Sequence, residues 1–291
     1  MSNLKEIRTR ISSVEKTKQV TAAMKMVSAA KLKKAQDAIV QIRPYADKLQ
    51  EILGNLSGSL SDSEDNIYGG ERKADKILLV AITSNKGLCG AFNSNVLKRV
   101  NELSRGVYSK QKAEGNFKIL AIGKQGFKDI SKVHQVIGHH NELFDDMNFE
   151  NTSSIASSIM EEYVVGKYDR VELVYNRFKN AGVQILTNEQ FLPIVNNESD
   201  DTTAQSDYLF EPGKETIISE LIPKSLKTQF FGAILDSIAS EHGARMTSMH
   251  KATDNASDLI QEMKLHYNQA RQAAITNEIL EIVSGANALA Q

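Results

Sequence analysis

Both ends of the chain carry apolar residues at alternating steps of three and four. Near the N-terminus these positions form three series: Leu4, Ile7, Ile11, Val14, then Val20, Met24, Val27, and then Ala35, Ala38, Ile42, Tyr45, Leu49, Ile52, Leu56. Near the C-terminus they are Met249, Ala252, Ala256, Leu259, Met263, His266, Ala270, Ala273, Asn277 and Leu280. A period of 3.5 residues is typical of a coiled coil. We predict two long helices in an antiparallel pair, with changes of phase in the first near Thr17 and Lys31.

The middle of the chain has a different pattern, in which β-branched apolar runs alternate with helical spacing. Strands are predicted at 76–83, 117–123, 170–178 and 183–194, and helices at 92–104 and 153–165. This alternation predicts an inserted, Rossmann-like α/β domain with a mainly parallel sheet. The predicted order is a coiled-coil helix at 1–57, a connector at 58–73, the α/β domain at 74–195, a surface loop at 196–211 and a second coiled-coil helix at 212–291. Pro44 is expected to bend the first helix without ending it.

The composition of the chain excludes or disfavours several classes of protein. The 291 residues carry a net charge of −1 and one cysteine, so an internal disulfide is excluded and bulk nucleic-acid binding is disfavoured. No apolar run reaches about 18 residues and the N-terminus is polar, so neither a membrane span nor a signal peptide is expected. Residues 1–34 hold nine Lys or Arg against two Glu. This basic segment is either an ordinary solvated helix face or a surface for an acidic protein partner.

The sequence offers few residues that could form a catalytic, anion-binding or metal site. The segment TSNKGLCGAFN at 83–93 follows a predicted strand and opens a helix, so Lys86, Gly87 and Gly90 could line an anion, although a tight turn explains the same glycines. Neither common phosphate-loop motif occurs. Cys89 has no paired histidine motif, and His139 and His140 would point to opposite sides of an extended segment. We therefore predict no catalytic, cofactor or metal site.

Three segments of the chain are long and specific. They are IRTRISSVEKTKQVTAAMKMVSAAKLKKAQ near the N-terminus, TSNKGLCGAFN, and SEHGARMTSMHKATDNASDLIQEMKLHYNQARQAAITNEILEIVSGANAL near the C-terminus. All three resemble one known family, the gamma subunit of the F-type ATP synthase. The resemblance implies a non-catalytic central rotor shaft that couples proton flow to ATP synthesis or hydrolysis at beta subunits. The implied partners are the alpha and beta subunits of the catalytic hexamer, the epsilon subunit and the c-subunit ring.

The resemblance also implies which residues contact the beta subunit. They are Met24, Lys25, Arg245, Gln272, Thr276 and Glu278, together with the loop from Lys86 to Cys89. Plastid relatives carry a redox-active cysteine pair, which this chain lacks, so we expect no thiol regulation. No transit peptide precedes Leu4, which favours a bacterial protein that sits peripherally on the cytoplasmic face of the inner membrane.

Two other functions stay open from the sequence. One is a nucleotide-dependent enzyme whose α/β domain carries coiled-coil arms, and the other is an adaptor that joins two partners without rotating. Calorimetry of the chain with ATP and NAD separates the enzyme from the rotor. Co-purification with alpha and beta subunits in the 3:3:1 ratio that the resemblance implies separates the rotor from the adaptor.

Overall fold

The computed structural model describes residues 4–57, 68–69, 72–194 and 214–289. The predicted loop at 196–211 and most of the predicted connector at 58–73 lie outside these ranges. The chain divides into two compact units. The coil unit is Met1–Ser28 with Met246–Gln291, and the sheet unit is Ala29–Arg245.

Two long helices and an α/β arrangement make up the described chain. The helices are α1 Leu4–Ser57, α2 Phe92–Arg105, α3 Ser109–Ala113, α4 Lys124–Ile130, α5 Phe149–Val164 and α6 Lys214–Leu289, and the strands are β1 Ile77–Ile82, β2 Phe117–Ile122, β3 Val136–His140, β4 Arg170–Asn180 and β5 Val183–Leu192. A 3-10 turn spans Glu142–Phe144. Pro44 lies inside α1 and Pro223 inside α6. The prediction that Pro44 does not end its helix is therefore confirmed.

The five strands form one sheet in the order β3-β2-β1-β4-β5. Strand β1 pairs in parallel with β2 and β4, β2 pairs in parallel with β3, and β5 alone is antiparallel, against β4. The predicted mainly parallel sheet is thus confirmed, with all four predicted strands present. Strand β3 was missed because its sequence, VIGHH, is short, holds a glycine and is only half-buried at the sheet edge.

The core of the sheet unit lies on both faces of β1. Leu78, Val80 and Ile82 pack on one face with α5 and with the buried residues of α6 between Ile222 and Ile234. Ile77, Leu79 and Ala81 pack on the other face with α2. Burial on both faces explains why β1 reads as a continuous apolar run without alternation.

The inward face of α1 differs from the predicted one. Its buried and half-buried heptad positions are Leu4, Ile7, Ile11, Val14, Lys18, Thr21, Lys25 and Ser28 in the coil unit, then Leu32, Ala35, Ile39, Ile42, Ala46 and Leu49 in the sheet unit. These steps of three and four continue without interruption. Val20, Val27 and Tyr45 are 57%, 58% and 50% exposed, so the predicted changes of phase near Thr17 and Lys31 are wrong. The true stripe is filled there by polar and small residues, which an apolar pattern cannot detect.

The inward face of α6 also needs correction in the coil unit. The buried and half-buried positions at steps of three and four are Met249, Thr253, Ala256, Ile260, Met263, Tyr267 and Ala270. Five predicted stripe positions are exposed instead, namely Leu259, His266, Ala273, Asn277 and Leu280. Tyr267 and Ile260 take the places that the pattern gave to their neighbours.

Three contacts fix the direction of the helix pair in the coil unit. The guanidinium of Arg8 donates to the Tyr267 hydroxyl at 2.6 Å, and Lys264 lies 3.3 Å from Glu15. The hydroxyls of Thr21 and Thr253 lie 2.9 Å apart. Residue numbers rise along α1 as they fall along α6, so the predicted antiparallel pairing is confirmed.

Candidate functional site

A tightly bonded loop joins β1 to α2. The backbone N–H of Ser84 donates to Asn93 Oδ1 at 3.0 Å, and the Ser84 hydroxyl donates to the Lys86 carbonyl at 2.8 Å. Asn93 Nδ2 in turn donates to Cys89 Sγ at 3.4 Å. Burial raises the pKa of the Cys89 thiol, so its thiolate fraction at neutral pH is low. Cys89 is accordingly a packed residue of this loop, in contact with Phe92 and Ala244.

Arg245 supports the same loop from α6. Its Nη2 donates to the Lys86 carbonyl at 2.7 Å and to the Gly87 carbonyl at 3.3 Å, while Nη1 pairs with Glu241 at 2.6 Å. Arg245 is only 7% exposed. The structure thus brings together Lys86, Cys89 and Arg245, which all come from the predicted contact residues.

Burial shifts the pKa values of two ionisable groups beside Arg245. It raises the pKa of Glu241, while the neighbouring guanidinium of Arg245 acts in the opposite direction. Burial also lowers the pKa of His242 to about 4, with Arg245 and Lys31 adding to the effect. His242 is therefore neutral near pH 7, and Arg245 and Glu241 form the ion pair of this site.

The geometry argues against an anion site in the loop. An anion at a strand-to-helix turn needs backbone N–H groups directed at it. Here the carbonyls of Lys86 and Gly87 face a guanidinium instead. In the turn after β2, the Gly126 N–H that an anion could accept from already donates to the Thr83 hydroxyl at 2.9 Å. Both turns are explained by bonds within the chain.

The two adjacent histidines lie on β3 and have separate contacts, as their alternation on a strand predicts. His139 stacks on Phe127, with ring centroids 4.3 Å apart, and His140 Nδ1 lies 3.1 Å from Glu142. Across the part of the chain that the structure describes, no group of three or more His, Cys, Asp or Glu could hold a metal ion. Nor is any helix in those residues long and apolar enough to cross a membrane.

The remaining predicted contact residues lie in the coil unit. Met24 and Lys25 are half-buried on α1, and Lys25 occupies a position of the inward stripe. Gln272, Thr276 and Glu278 are exposed on α6. The Thr276 hydroxyl donates to the Gln272 carbonyl at 3.0 Å, one turn earlier on the same helix.

The last part of α6 continues beyond the paired segment. Residues 271–287 are all exposed, whereas Ala270 is half-buried. Five large apolar residues in this tip are between 49% and 66% exposed: Ile275, Ile279, Leu280, Ile282 and Val283. Spacing of about 100° per residue places Ile275, Ile279 and Ile282 on one side of the helix. Gln272 and Thr276 flank this stripe on one edge and Glu278 on the other.

Comparison with known proteins assigns the chain to a family. A family model described as ATP synthase matches residues 3–289. The ATP synthase gamma chain of Flavobacterium johnsoniae is 58% identical over 289 residues, which cover 99% of both chains. The gamma chain of Cytophaga hutchinsonii is 50% identical over 293 residues, again with 99% of each chain covered. The chain belongs to the ATP synthase gamma chain family.

Solved structures agree with this gamma chain assignment. A chain of the Tetrahymena thermophila mitochondrial ATP synthase, from its central stalk and c-ring, matches with a TM-score of 0.61 and 27% identity, covering 80% of this chain and 99% of that one. A rotor chain of the Euglena gracilis mitochondrial enzyme matches with a TM-score of 0.63 and 20% identity, covering 94% and 98%. The second match shows the shared fold alone.

One residue of the site and one backbone conformation were missed by sequence reasoning. Glu241 is buried beside Arg245, and the i, i+4 spacing of an acid and a base on one helix was the available signal. Leu88 carries a positive φ of 62° and is 67% exposed. No sequence signal predicts that conformation, because leucine is not a residue type that favours it.

Proposed function

We propose that this gamma chain is the non-catalytic central rotor shaft of a proton-transporting ATP synthase. The observation that carries the proposal is family membership over nearly the whole chain, at up to 58% identity among the relatives compared. The shaft would stand inside a hexamer of alternating alpha and beta subunits. Its other partners would be the epsilon subunit and the c-subunit ring, which proton flow turns.

Coupling requires a shaft whose faces differ. A shaft that contacted three beta subunits alike would shift no equilibrium between their conformations, however tightly it bound. The tip of α6 has the required difference, because Ile275, Ile279 and Ile282 share one side while Asn277 and Glu281 lie opposite. As the shaft turns, each beta subunit would meet the isoleucine stripe and then sides of different composition in succession.

The proposed contacts with the beta subunit fall into two groups. In the coil unit they are Met24 and Lys25 on α1 and Gln272, Thr276 and Glu278 on α6. In the sheet unit the exposed side chain of Lys86 is the proposed contact. Cys89 and Arg245 are buried within the sheet unit, so we assign them no direct contact with the beta subunit. We propose instead that they hold the loop that carries Lys86.

The proposed location follows from the bacterial relatives. Flavobacterium johnsoniae and Cytophaga hutchinsonii are bacteria, and their gamma chains align over 99% of this chain. We place the protein peripherally at the cytoplasmic face of an inner membrane, held there by its partner subunits. Membrane fractionation of cells with and without an intact c-subunit ring tests this location, since release of the chain is expected when the ring is absent.

Reconstitution tests the rotor function directly. The chain is combined with alpha and beta subunits, and the resulting complex is joined in proton-tight vesicles to the epsilon subunit and to the membrane-embedded sector that holds the c-subunit ring. We expect a 3:3:1 complex whose ATP hydrolysis pumps protons. Failure of the wild-type chain to assemble, or assembly without any effect on ATP hydrolysis, would contradict the proposal.

A double variant tests the polar edge of the tip. Gln272→Ala with Thr276→Ala removes one edge of the apolar stripe, and both side chains are exposed, so folding should be unaffected. We expect protons pumped per ATP hydrolysed to fall several-fold while complex yield stays within a factor of two. Asn277→Ala with Ser284→Ala, on the opposite side, is the matched control. Equal pumping and ATPase rates in the two double variants would sink the assignment.

A further inference from the structure

The hairpin of β4 and β5 extends beyond the rest of the sheet. Strand β1 pairs with β4 only as far as Val174, whereas the pairing of β4 with β5 continues to Asn180 and Val183. Residues 175–187, which we call the arm, are therefore a two-stranded projection. A two-stranded hairpin on its own is at best marginally stable in water, so neighbouring elements must hold the arm in place.

Two side chains of α6 hold the base and the middle of the arm. Gln229 Nε2 donates to Glu189 Oε1 at 2.6 Å, just before the level at which the arm leaves the sheet. Farther along, the backbone N–H of Phe178 donates a hydrogen bond to the carboxyl group of Asp236. The arm is thus bonded to α6 through both of its strands.

The tip of the arm lies against a glycine of α6. A Cβ at Gly243 would lie 3.2 Å from the Ala181 Cα and 3.3 Å from the Ala181 carbonyl oxygen, so a larger residue would push the arm away. Asn180 Oδ1 closes the turn by accepting the N–H groups of Gly182 and Val183 at 3.0 and 2.8 Å. The tip is therefore a closed turn that rests on the helix.

Charged groups connect α1 to the same arrangement. Arg43 of α1, Arg177 of the arm and Asp236 of α6 line one groove. Burial raises the pKa of Asp236 to about 6, although both guanidinium groups favour the ionised carboxylate. Asp236 is therefore mostly ionised near pH 7 and attracts α1 and the arm alike.

The three contact positions on α6 share one side of the helix. Gln229, Asp236 and Gly243 follow each other at steps of seven residues, and each step turns the side chain by only about 20° around the helix. They span about 21 Å at about 1.5 Å per residue. The β4 side of the arm, from Tyr175 to Ala181, covers about 20 Å at about 3.3 Å per residue. The arm therefore follows α6 over its whole length.

We propose that the arm is a brace that locks α6 to the sheet unit against twisting. This proposal rests on the rotor function proposed above, in which torque from the c-subunit ring has to reach the shaft helices. A helix held only along its axis turns when torque is applied, whereas contacts at three levels on one side resist that rotation. The braced stretch ends at Gly243, and α6 continues into the coil unit from Met246.

A single-molecule measurement in the complex with alpha and beta subunits tests the brace. The hexamer is fixed to a surface and a bead is attached to the sheet unit through Val107→Cys, a position that is 70% exposed. The variance of the bead angle then reports how easily the shaft twists. Gly243→Leu pushes the tip of the arm off α6, and Gly232→Leu, where a Cβ has no atom within 4 Å, is the matched control on the same helix.

The two variants are compared in complexes that keep the 3:3:1 composition. We expect the angular variance to rise at least 1.5-fold in Gly243→Leu and to stay at the wild-type value in Gly232→Leu. Equal variances would overturn the brace and leave the rotor function standing. A wild-type chain that does not assemble would overturn both.

A reversible crosslink tests the brace without adding bulk. Ala181→Cys with Gly243→Cys places two thiols close enough for a disulfide, which fixes the tip on α6. We expect the oxidised complex to pump protons within twofold of the reduced one, because a brace stays seated throughout the cycle. A fivefold or larger loss of pumping that a reducing agent restores would show that the arm must leave α6. Failure of the thiols to join would show that the tip does not rest there, and either result overturns the brace.

Discussion

At the scale of single residues, backbone carbonyls and buried charges decide what the sheet unit can do. The loop after β1 has glycines that could line an anion, yet its carbonyls at Lys86 and Gly87 accept hydrogen bonds from Arg245. Burial raises the pKa of Glu241, whereas the ion pair with Arg245 lowers it and so favours the ionised carboxylate. The loop is thus held in place by hydrogen bonds within the sheet unit.

These residue contacts mark the limit of sequence reasoning. Lys86, Cys89 and Arg245 were all identified by family resemblance, but nothing in the sequence predicts that they meet, because positions 86 and 245 lie far apart along the chain. A hydrogen bond from a side chain to a backbone carbonyl leaves no pattern of residue types. The positive φ of Leu88 could not be predicted from the sequence either, because leucine does not favour that conformation.

Gly123 offers a residue-scale test of how closely the β1 and β2 ends approach. Its φ is +101°, and a Cβ there would lie 2.2 Å from the Thr83 carbonyl oxygen. We expect Gly123→Ala to lower the free energy of unfolding of the chain by about 3 kcal/mol, since backbone must move to relieve the clash. Urea denaturation followed by circular dichroism measures the change.

Gly166 supplies the control for backbone strain alone. Its φ is +78°, but a Cβ there would have no atom within 4 Å. Gly166→Ala should therefore cost only about 1 kcal/mol, from the left-handed conformation. Equal losses in the two variants would show that the approach of Thr83 to Gly123 contributes nothing.

At the scale of elements, long apolar runs were easier to predict than mixed ones. β1, β2 and β4 are buried β-branched runs and were found, whereas β3 is half-exposed and was not. The antiparallel pairing of α1 and α6 in the coil unit was predicted, but the buried stripe of α1 lies on a different side from the predicted one. Thr21 and Ser28 are buried while the nearby Val20 and Val27 are exposed, so the apolar pattern followed the wrong side of the helix.

A pair of substitutions distinguishes the observed stripe from the sequence-based one. Thr21 is 9% exposed and lies against Thr253, so Thr21→Lys buries a charge between Lys18 and Lys25. We expect it to lower the free energy of unfolding by about 2 kcal/mol or more. Val20→Lys, one position away and exposed, should change that free energy by less than about 0.5 kcal/mol.

Thermal unfolding of the two purified variants, followed by helix ellipticity, measures this difference. The heptad steps through Leu4, Ile7, Ile11 and Val14 lead to Lys18 and Thr21 without a slip. If Val20→Lys were the more damaging substitution, the phase change near Thr17 would be restored and the uninterrupted stripe would be wrong. Only the relative order of the two variants matters, so a general loss of solubility from added lysine cancels.

At the scale of the whole molecule, the chain combines stable packing with surfaces that folding leaves unused. The sheet unit has a two-sided core, and the coil unit buries its stripe through Met249, Ala256 and Ile260. The tip of α6 from residue 271 gains nothing from this packing, although it carries five large exposed apolar residues. Exposed apolar stripes of this kind mark interaction sites in soluble proteins. In the proposed rotor, the hexamer of alpha and beta subunits would contact this stripe.

Removal of residues 271–291 tests whether the tip serves partners and not folding. Residues 271–287 are exposed in the coil unit, so the shortened chain should unfold within about 2 °C of the wild type. In the reconstituted complex we expect protons pumped per ATP to fall several-fold, because the apolar stripe and the polar edges at Gln272, Thr276 and Glu278 are gone. A chain ending at Asn255, which also lacks Ala256 and Ile260 of the paired segment, is the control and should unfold at a clearly lower temperature. A large drop in unfolding temperature on removal of 271–291 alone would make the tip part of the fold, and unchanged pumping would leave its apolar stripe without a partner in the hexamer.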